Sequence, residues 1–360
     1  MKIYWGVFLI LATLSSCEKS MDPEPVPTET AYFPPVSGTD WQSVTPASLG
    51  WSESALNDVY SYLQTKNTKA FIVLKNGRIV AEKYFGNFTA DSNWYWASAG
   101  KTMTGMLVGI AQQEGLLNIN KKTSEYLGSG WTTAPAAKED LITVKHQLTM
   151  TTGLDDGVAD NDCTLPACLS YKADPGTRWA YHNAPYTLLD KVIESATKKS
   201  FNTYFQEKIR DRIGMNGIWF KGTGYNNVYY SNARSMARFG LLMMNKGKWD
   251  QTNILSDAAY FESQTNTSQN LNLSYGYLTW LNGKASYMLP GVQLVLNGAL
   301  TPNAPADMYA ALGKNDQKIY VVPSQKLVVI RMGESAGNPS LALSSFDNEL
   351  WGKLKLAIGN

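Results

Sequence analysis

Short runs of apolar residues lie near both ends of the chain, and turn residues interrupt them. Apolar residues run from Phe71 to Leu74 and from Ile79 to Ala81, and Asn76-Gly77 lies between the two runs. An Asn-Gly pair in this setting is a strong signal for a two-residue hairpin turn. Near the end of the chain, Lys318–Val322 and Leu327–Met332 flank a short segment that begins with proline. The pattern therefore predicts one β-hairpin close to each end.

Between the two hairpins, apolar residues recur at the spacing of an amphipathic helix. From Lys101 to Leu117 they follow steps of three and four residues, as at Met103, Met106, Leu107 and Ile110. The same criterion predicts helices over 52–63, 185–198, 233–245 and 344–357.

These elements predict an α/β (α+β) fold. An antiparallel sheet built from both ends of the chain is flanked by helices and carries an inserted, mainly helical lobe. The sheet lobe is expected at about residues 37–90 and 275–360, and the helical lobe at about 91–274. A cleft between two such lobes is a natural place for a ligand.

The first 17 residues have the pattern of a signal peptide. Lys2 is followed by an apolar run from Ile3 to Leu14, which is too short to span a bilayer. Leu14-Ser15-Ser16-Cys17 resembles the lipobox of bacterial lipoproteins, which implies cleavage before Cys17 and a lipid on its thiol. We therefore expect an exported protein, anchored by this lipid to a bacterial membrane and facing the periplasm or the cell surface.

The composition changes after the leader. Residues 18–36 are rich in proline and polar residues, so we predict a flexible tether there and a folded domain over 37–360. The chain has 32 basic and 30 acidic residues, and a net charge of +2 gives no reason to expect a nucleic-acid partner.

Two further cysteines, Cys163 and Cys168, lie five positions apart in a polar loop. In an exported protein such a pair is expected to form a disulfide, and two free thiols are the alternative. A metal site is disfavoured, because no histidine or additional cysteine lies nearby in the sequence to complete four ligands.

Two common catalytic motifs are absent from the sequence, His-Glu-x-x-His and the Walker motif. A Ser-His-Asp triad would need His146 or His182, the two histidines of the chain. His182 is the better placed of the two, but no acidic residue stands out as its partner.

Ser98-Ala99-Gly100-Lys101 is a Ser-x-x-Lys motif at the start of the predicted apolar helix. Side chains three positions apart on a helix are neighbours, so the Ser98 hydroxyl and the Lys101 amine are expected to lie together. A lysine held in a desolvated pocket has a lowered pKa and can accept the proton of the serine. The alternative is that Ser98 only caps the helix.

Tyr181-His182-Asn183 forms a Tyr-x-Asn motif between a turn at Asp174-Pro175-Gly176 and another predicted helix. Loops at helix entrances place side chains where they can face a cleft. Asn183 has a second interpretation as the N-cap of that helix, and Tyr181 as a packed aromatic residue.

Together the two motifs and the chain-terminal strand hairpin resemble the serine β-lactamase-like family. This family includes AmpC-type β-lactamases, D-Ala-D-Ala carboxypeptidases, EstB-type esterases and nylon-oligomer hydrolases. The segments Val144–Leu154 and Tyr275–Trp280 also resemble stretches of the family, and the similarity covers roughly residues 45–357.

The resemblance implies a β-lactamase/transpeptidase-like fold and roles for individual residues. Ser98 is expected to attack the acyl carbon, Lys101 and Tyr181 to share its proton, and Asn183 to orient Lys101 or the substrate. This chemistry needs no metal and no organic cofactor.

The third motif of the family departs from its usual form. The chain has no Lys-Thr-Gly or His-Thr-Gly, and the matching region contains Gly313 and Lys314. It is closer to the Gly-x-x-Gly-Gln form of the esterase and nylon-hydrolase branch, with Asp316 in place of the second glycine. The Lys314 N–H is the expected second oxyanion donor, and its side chain either meets an acidic substrate or is solvated.

We therefore expect a serine hydrolase of esters or small amides. A D-Ala-D-Ala-type peptidase or a weak β-lactamase is the alternative within the class. A non-catalytic binding lipoprotein is the alternative from another class.

Overall fold

The computed structural model describes residues 1–2, 30–337 and 345–359. The apolar run of the predicted signal peptide, Cys17 and residues 18–29 lie outside the described residues. Cleavage, lipidation and a membrane anchor therefore stay predictions. Within the described part of the chain, no helix is both long and apolar enough to cross a bilayer.

The last residues of the predicted tether are attached to the folded domain. The Arg78 guanidinium donates to the carbonyl oxygen of Thr30 at 2.9 Å, and Arg238 donates to that of Pro35 at 2.8 Å. Both arginines are buried, so their donors need acceptors, and the backbone at residues 30–36 supplies them. Two carbonyl groups of residues 30–36 are therefore bound to buried side chains of the folded domain.

The strands form one large antiparallel sheet and several small ones. In chain order they are β1 (Thr68–Lys75), β2 (Arg78–Tyr84), β3 (Trp94–Tyr95), β4 (Ile218–Lys221), β5 (Asn227–Ser231), β6 (Lys248–Trp249), β7 (Thr252–Asn253), β8 (Trp280–Leu281), β9 (Ser286–Tyr287), β10 (Leu296–Asn297), β11 (Tyr309–Gly313), β12 (Gln317–Val322) and β13 (Leu327–Gly333). The six-stranded sheet has the order β2-β1-β13-β12-β11-β8. Ile72 pairs with Ile330, so the two predicted hairpins join through β1 and β13.

The helices are α1 (Glu53–Thr65), α2 (Gly100–Gln113), α3 (Ser124–Leu127), α4 (Ala136–Glu139), α5 (Val144–Leu148), α6 (Asn183–Thr187), α7 (Leu189–Thr197), α8 (Phe201–Phe205), α9 (Ala233–Met244), α10 (Ala258–Thr265) and α11 (Phe346–Ile358). This mixture of an antiparallel sheet and helices confirms the predicted fold class.

Two details differ from the sequence prediction. The helix predicted to reach Leu117 ends at Gln113, because Gly115 has a left-handed φ of 72°. The helix predicted over 185–198 is divided at Leu188 into α6 and α7.

Helices cover both faces of the large sheet. On one face, α9 approaches Val328 and Ile319 through Gly240. On the other face, α11 places Trp351 against the ring of Tyr320, and α1 lies beside it with Tyr62 stacked on Phe346. Ile319 and Tyr320 are successive residues of β12, and successive residues of a strand point to opposite faces. The α9 helix comes from the segment predicted as the helical lobe but packs on the sheet.

The contact at Gly240 gives a test of this packing. A Cβ added there would lie 2.4 Å from Cγ1 of Val328, so we expect Gly240→Ala to push α9 away from the sheet. Overpacking of this kind costs about 1–3 kcal/mol of unfolding free energy, which chemical denaturation measures. The control is Gly224→Ala, where no atom lies within 4 Å of the added Cβ. Equal stability of the two variants would contradict the packing.

Candidate functional site

The turn that carries Ser98 is fixed by the residue two positions before it. Trp96 donates its backbone N–H to the carbonyl oxygen of Tyr229 at 2.8 Å, and its indole N–H to the hydroxyl of Ser231 at 2.8 Å. The Trp96 ring is fully buried, edge-on to that of Tyr229. Ala97 follows with a left-handed φ of 47°, a strained conformation for a residue with a Cβ. Ser98 lies half-buried in the short 3-10 turn that leads into α2.

Lys101 lies in the first turn of α2, a helix that is buried from Gly100 to Ala111. Its side chain is 4% exposed, and its Nζ lies 3.5 Å from the ring centroid of Tyr186 and 5.5 Å from that of Tyr181. Burial lowers the pKa of Lys101 to about 7, and the carboxylates of Asp162 and Asp190 oppose this shift. An amine with such a pKa can gain or lose a proton near neutral pH.

Tyr181 connects Ser98 to a cluster of aromatic rings. Burial raises the pKa of Tyr181, and the neighbouring Ser98 hydroxyl lowers it by a smaller amount. The ring stacks on Trp280 at 5.9 Å between centroids and meets Tyr275 edge-on. The Tyr275–Trp280 segment, which resembles a family stretch, therefore packs two aromatic rings against that of Tyr181.

Asn183 begins α6, but its side chain does not cap the helix. His182 is the N-cap, and the Asn183 Nδ2 donates to Oδ1 of Asp162 at 2.7 Å. The capping interpretation of Ser98 fails in the same way, because Ala99 is the N-cap of α2 and makes no side-chain capping bond.

The two histidines do not form a triad. His146 takes part in a capping box with Thr143 at the start of α5. His182 is 2% exposed, and both ring nitrogens lack a hydrogen-bond partner within the part of the chain that the structure describes. Burial lowers the pKa of His182 to about 4.

Gly313 brings the end of β11 against the Ser98 turn. A Cβ at this position would lie 2.3 Å from the carbonyl oxygen of Trp96 and 3.0 Å from the backbone nitrogen of Ala99. Lys314 follows as an exposed residue of a 3-10 turn. Asn315 and Asp316 both have positive φ, near 60°. The backbone conformation that a second glycine would adopt easily is thus taken by Asp316 here.

Cys163 and Cys168 form a disulfide bond. It closes the turn that follows Asp162, so the covalent link lies next to the partner of Asn183. Among residues 30–337 and 345–359, no three His, Cys, Asp or Glu side chains are grouped in a way that could hold a metal ion.

Comparison with known proteins identifies the family. The family model described as Beta-lactamase matches residues 65–346. The protein belongs to the beta-lactamase family. It is accordingly a serine hydrolase in the general sense of that family, and the resemblance found in the sequence is confirmed.

Individual relatives of this beta-lactamase-family protein are distant. Protein flp of Staphylococcus aureus is 27% identical over 182 residues, which cover 44% of the present chain and 36% of that protein. The chain thus matches about a third of the length of this curated relative. A penicillin-binding protein homologue from Caulobacter crescentus has a similar fold, with a TM-score of 0.67 at 13% identity over 89% of this chain and 100% of that one. A candidate 6-aminohexanoate-dimer hydrolase from Bacillus anthracis gives a TM-score of 0.62 at 20% identity, covering 78% and 77%.

Three residues near Lys101 were not singled out from the sequence. They are Tyr186, whose ring faces the amine, and the two acids Asp162 and Asp190. Tyr186 follows Tyr181 by five positions in a predicted helix, so its nearness to the motif was a usable signal. The sequence carried no signal for Asp162 and Asp190, because only the folded loop and the packing of α7 on α2 bring these acids towards Lys101.

Because its amine is buried, Lys101 is expected to lower the free energy of unfolding of this protein. Lys101→Met should raise the free energy of unfolding at pH 7 by about 1–4 kcal/mol, since it removes a charge that the folded state desolvates. The folded pKa is about 7 and the ordinary value is 10.5, so the gain should be full below pH 7 and shrink as pH rises towards 10.5. Urea denaturation at pH 7 and pH 9 measures it. Lys121→Met, at an exposed lysine, is the control, and a destabilised Lys101→Met protein would contradict the expectation.

Proposed function

We propose that Ser98 is the nucleophile of this serine hydrolase and that it forms an acyl-enzyme with esters or small amides. One observation carries the proposal: Ser98 is next to the Tyr181 phenol, and the Nζ of a buried Lys101 with a pKa of about 7 lies 5.5 Å from the centroid of the same ring. A serine becomes a strong nucleophile when a neighbouring group can take its proton. Here the phenol and the amine together provide that group.

The proposed reaction has two halves. The Ser98 Oγ forms a bond to the acyl carbon while its proton passes to the Tyr181–Lys101 pair. The bond to the leaving group then breaks, and Tyr181 returns the proton to the leaving oxygen or nitrogen. A water molecule attacks the acyl-enzyme with the same pair as its base, which releases the carboxylic acid and restores the Ser98 hydroxyl.

The negatively charged oxygen of the tetrahedral intermediate must be stabilised by hydrogen-bond donors that are already in position. We assign the backbone N–H groups of Ser98 and Lys314 to this task. The close approach of Gly313 to Trp96 and Ala99 supports the assignment, because it brings the residue before Lys314 against the Ser98 turn.

The hairpin beside the site supports an ester or small-amide substrate rather than a β-lactam or a peptide with a free carboxylate. The two buried cations of its strands are already engaged. Lys318 pairs with Asp347 at 2.8 Å and Asp316 at 3.2 Å, and Arg331 donates to backbone carbonyls, including those of Asn315 and Asp316. A substrate carboxylate would therefore have to rely on the exposed Lys314.

The alternatives remain distinguishable by experiment. A weak β-lactamase would hydrolyse nitrocefin, and a D-Ala-D-Ala-type peptidase would release D-alanine from a short peptide ending in that pair. A non-catalytic binding lipoprotein would leave Ser98 unreactive.

The nucleophile is tested by treating residues 30–360 with a fluorophosphonate and measuring the intact mass. We expect one phosphonyl adduct, formed as the Ser98 Oγ bonds to phosphorus and fluoride leaves, and no adduct on Ser98→Ala. Ser98→Ala should also lose all ester turnover while it keeps the parent's thermal unfolding. A folded parent that takes up no adduct would overturn the proposal in favour of a binding protein.

The proton-transfer pair is tested through pH. We expect the rate of Ser98 phosphonylation to rise with pH through about 7, because Lys101 must lose its proton before it can accept another. Lys101→Ala and Tyr181→Phe should each lower ester turnover by about 10²–10⁴-fold. His182→Ala serves as the comparison, since loss of acylation in that variant with normal activity in Tyr181→Phe would assign the base to His182.

A further inference from the structure

The polar loop over residues 155–168 lies beside the Tyr-x-Asn segment and contacts it at two points. The Asn183 Nδ2 donates to Asp162 Oδ1 at 2.7 Å, and the backbone N–H of Ala184 donates to the carbonyl oxygen of Asn161 at 3.0 Å. None of the roles assigned above uses this loop.

The contact with Asp162 fixes which way the Asn183 amide points. A carboxylate only accepts hydrogen bonds, so the atom facing it must be the amide nitrogen. The amide oxygen is then directed away from Asp162. This Oδ1 is buried, and within residues 30–337 and 345–359 it has no hydrogen-bond partner.

A buried acceptor without a partner is costly, and such atoms are found where a ligand or a catalytic group completes the site. Asn183 lies two residues after Tyr181, so the unpartnered acceptor belongs to the same segment as the phenol. The cost is sustained because Asp162 holds the other end of the amide.

Asp162 is itself held by covalent and backbone constraints. The disulfide between Cys163 and Cys168 closes the turn directly after it. The N–H groups of Asp162 and Cys163 are bound by the side chain and the backbone carbonyl of Asp160, at 3.0 and 3.2 Å. The carboxylate is therefore preorganised before any substrate arrives.

We propose that Asp162 is a positioning residue that locks the Asn183 amide in one orientation, with Oδ1 held ready as an acceptor inside the site. This inference rests on the proposed function, because it assumes that Ser98 is acylated with the help of Lys101. It adds a residue that none of the three motifs contains.

Asp162 also acts on Lys101 through its charge. The ionisable groups around the amine are the carboxylates of Asp162 and Asp190, on the loop and on α7, and the phenols of Tyr181 and Tyr186. Both carboxylates raise the pKa of Lys101 against the effect of burial. Without the charge at position 162, Lys101 would lose its proton at a lower pH than in the parent.

The test separates the charge of Asp162 from its hydrogen bond. Asp162→Asn removes the charge but keeps an oxygen that can accept from Asn183, and Asp162→Ala removes both. Asp155→Asn is the matched control, since it neutralises an acid of the same loop whose partner is Lys172 and not Asn183. The rate of Ser98 phosphonylation is measured against pH for all three and for the parent, with thermal unfolding in parallel.

We expect Asp162→Asn to move the rising limb of the pH profile to lower pH and to keep the plateau rate within a few-fold of the parent. Asp162→Ala should move the limb in the same direction and lower the plateau by about tenfold, the loss expected when a buried amide loses a charge-assisted hydrogen bond. Asp155→Asn should do neither.

An unmoved pH limb in Asp162→Asn together with a parental plateau in Asp162→Ala would overturn the inference. So would a fall in rate that follows thermal stability without any change in the pH profile, because that is the signature of a purely structural residue. If Asp162→Ala does not fold, the pH limb of Asp162→Asn decides the question. A parent that is not phosphonylated at all would refute the proposed function instead, so the two failures are distinct.

Discussion

The burial of one amine is the constraint around which the site is arranged. Lys101 would hold its proton up to a pKa of 10.5 in water, and its shift to about 7 corresponds to about 5 kcal/mol of folding free energy below pH 7. Within the described part of the chain, the surroundings offset part of this cost without placing a carboxylate at ion-pairing distance from the amine. The ring of Tyr186 offers its negative face to Nζ, and Asp162 and Asp190 act electrostatically. A close ion pair would have stabilised the ammonium and removed its use as a base near neutral pH.

Steric contacts then place the reacting groups around that amine. Trp96 fixes the turn that carries Ser98, and Trp280 and Tyr275 pack against the Tyr181 ring. Gly313 allows the edge of the large sheet to touch the same turn. Side chains of the helical segment and of the sheet therefore meet at Ser98, although they are far apart in sequence. This meeting explains why no single motif contains the whole site.

The hairpins and most helices could be predicted from periodicity and turn residues, because those signals are local. Strand β3 could not, since it has only two residues and pairs with β5, which is distant in the chain. The Ser98 and Tyr181 motifs were visible because their spacing carries chemistry. The contact of Asp162 with Asn183 could not be predicted, because it exists only where the disulfide-closed loop lies against α6. The hydrogen bonds that hold residues 30–36 could not be predicted from composition, which says nothing of the two arginines that bind their carbonyls.

The pairing of β1 with β13 has a consequence for synthesis of the chain. Strand β1 lies next to the edge strand β2 and can pair with it at once, but its other neighbour, β13, is translated only after the whole helical segment. Until then the apolar stretch from Phe71 to Leu74 presents an open strand edge, which invites pairing with other chains. A nascent or prematurely terminated chain is thus exposed to aggregation for most of its translation. Loss of only the final hairpin would leave every upstream motif intact in the sequence but would remove β12 and β13 from the sheet.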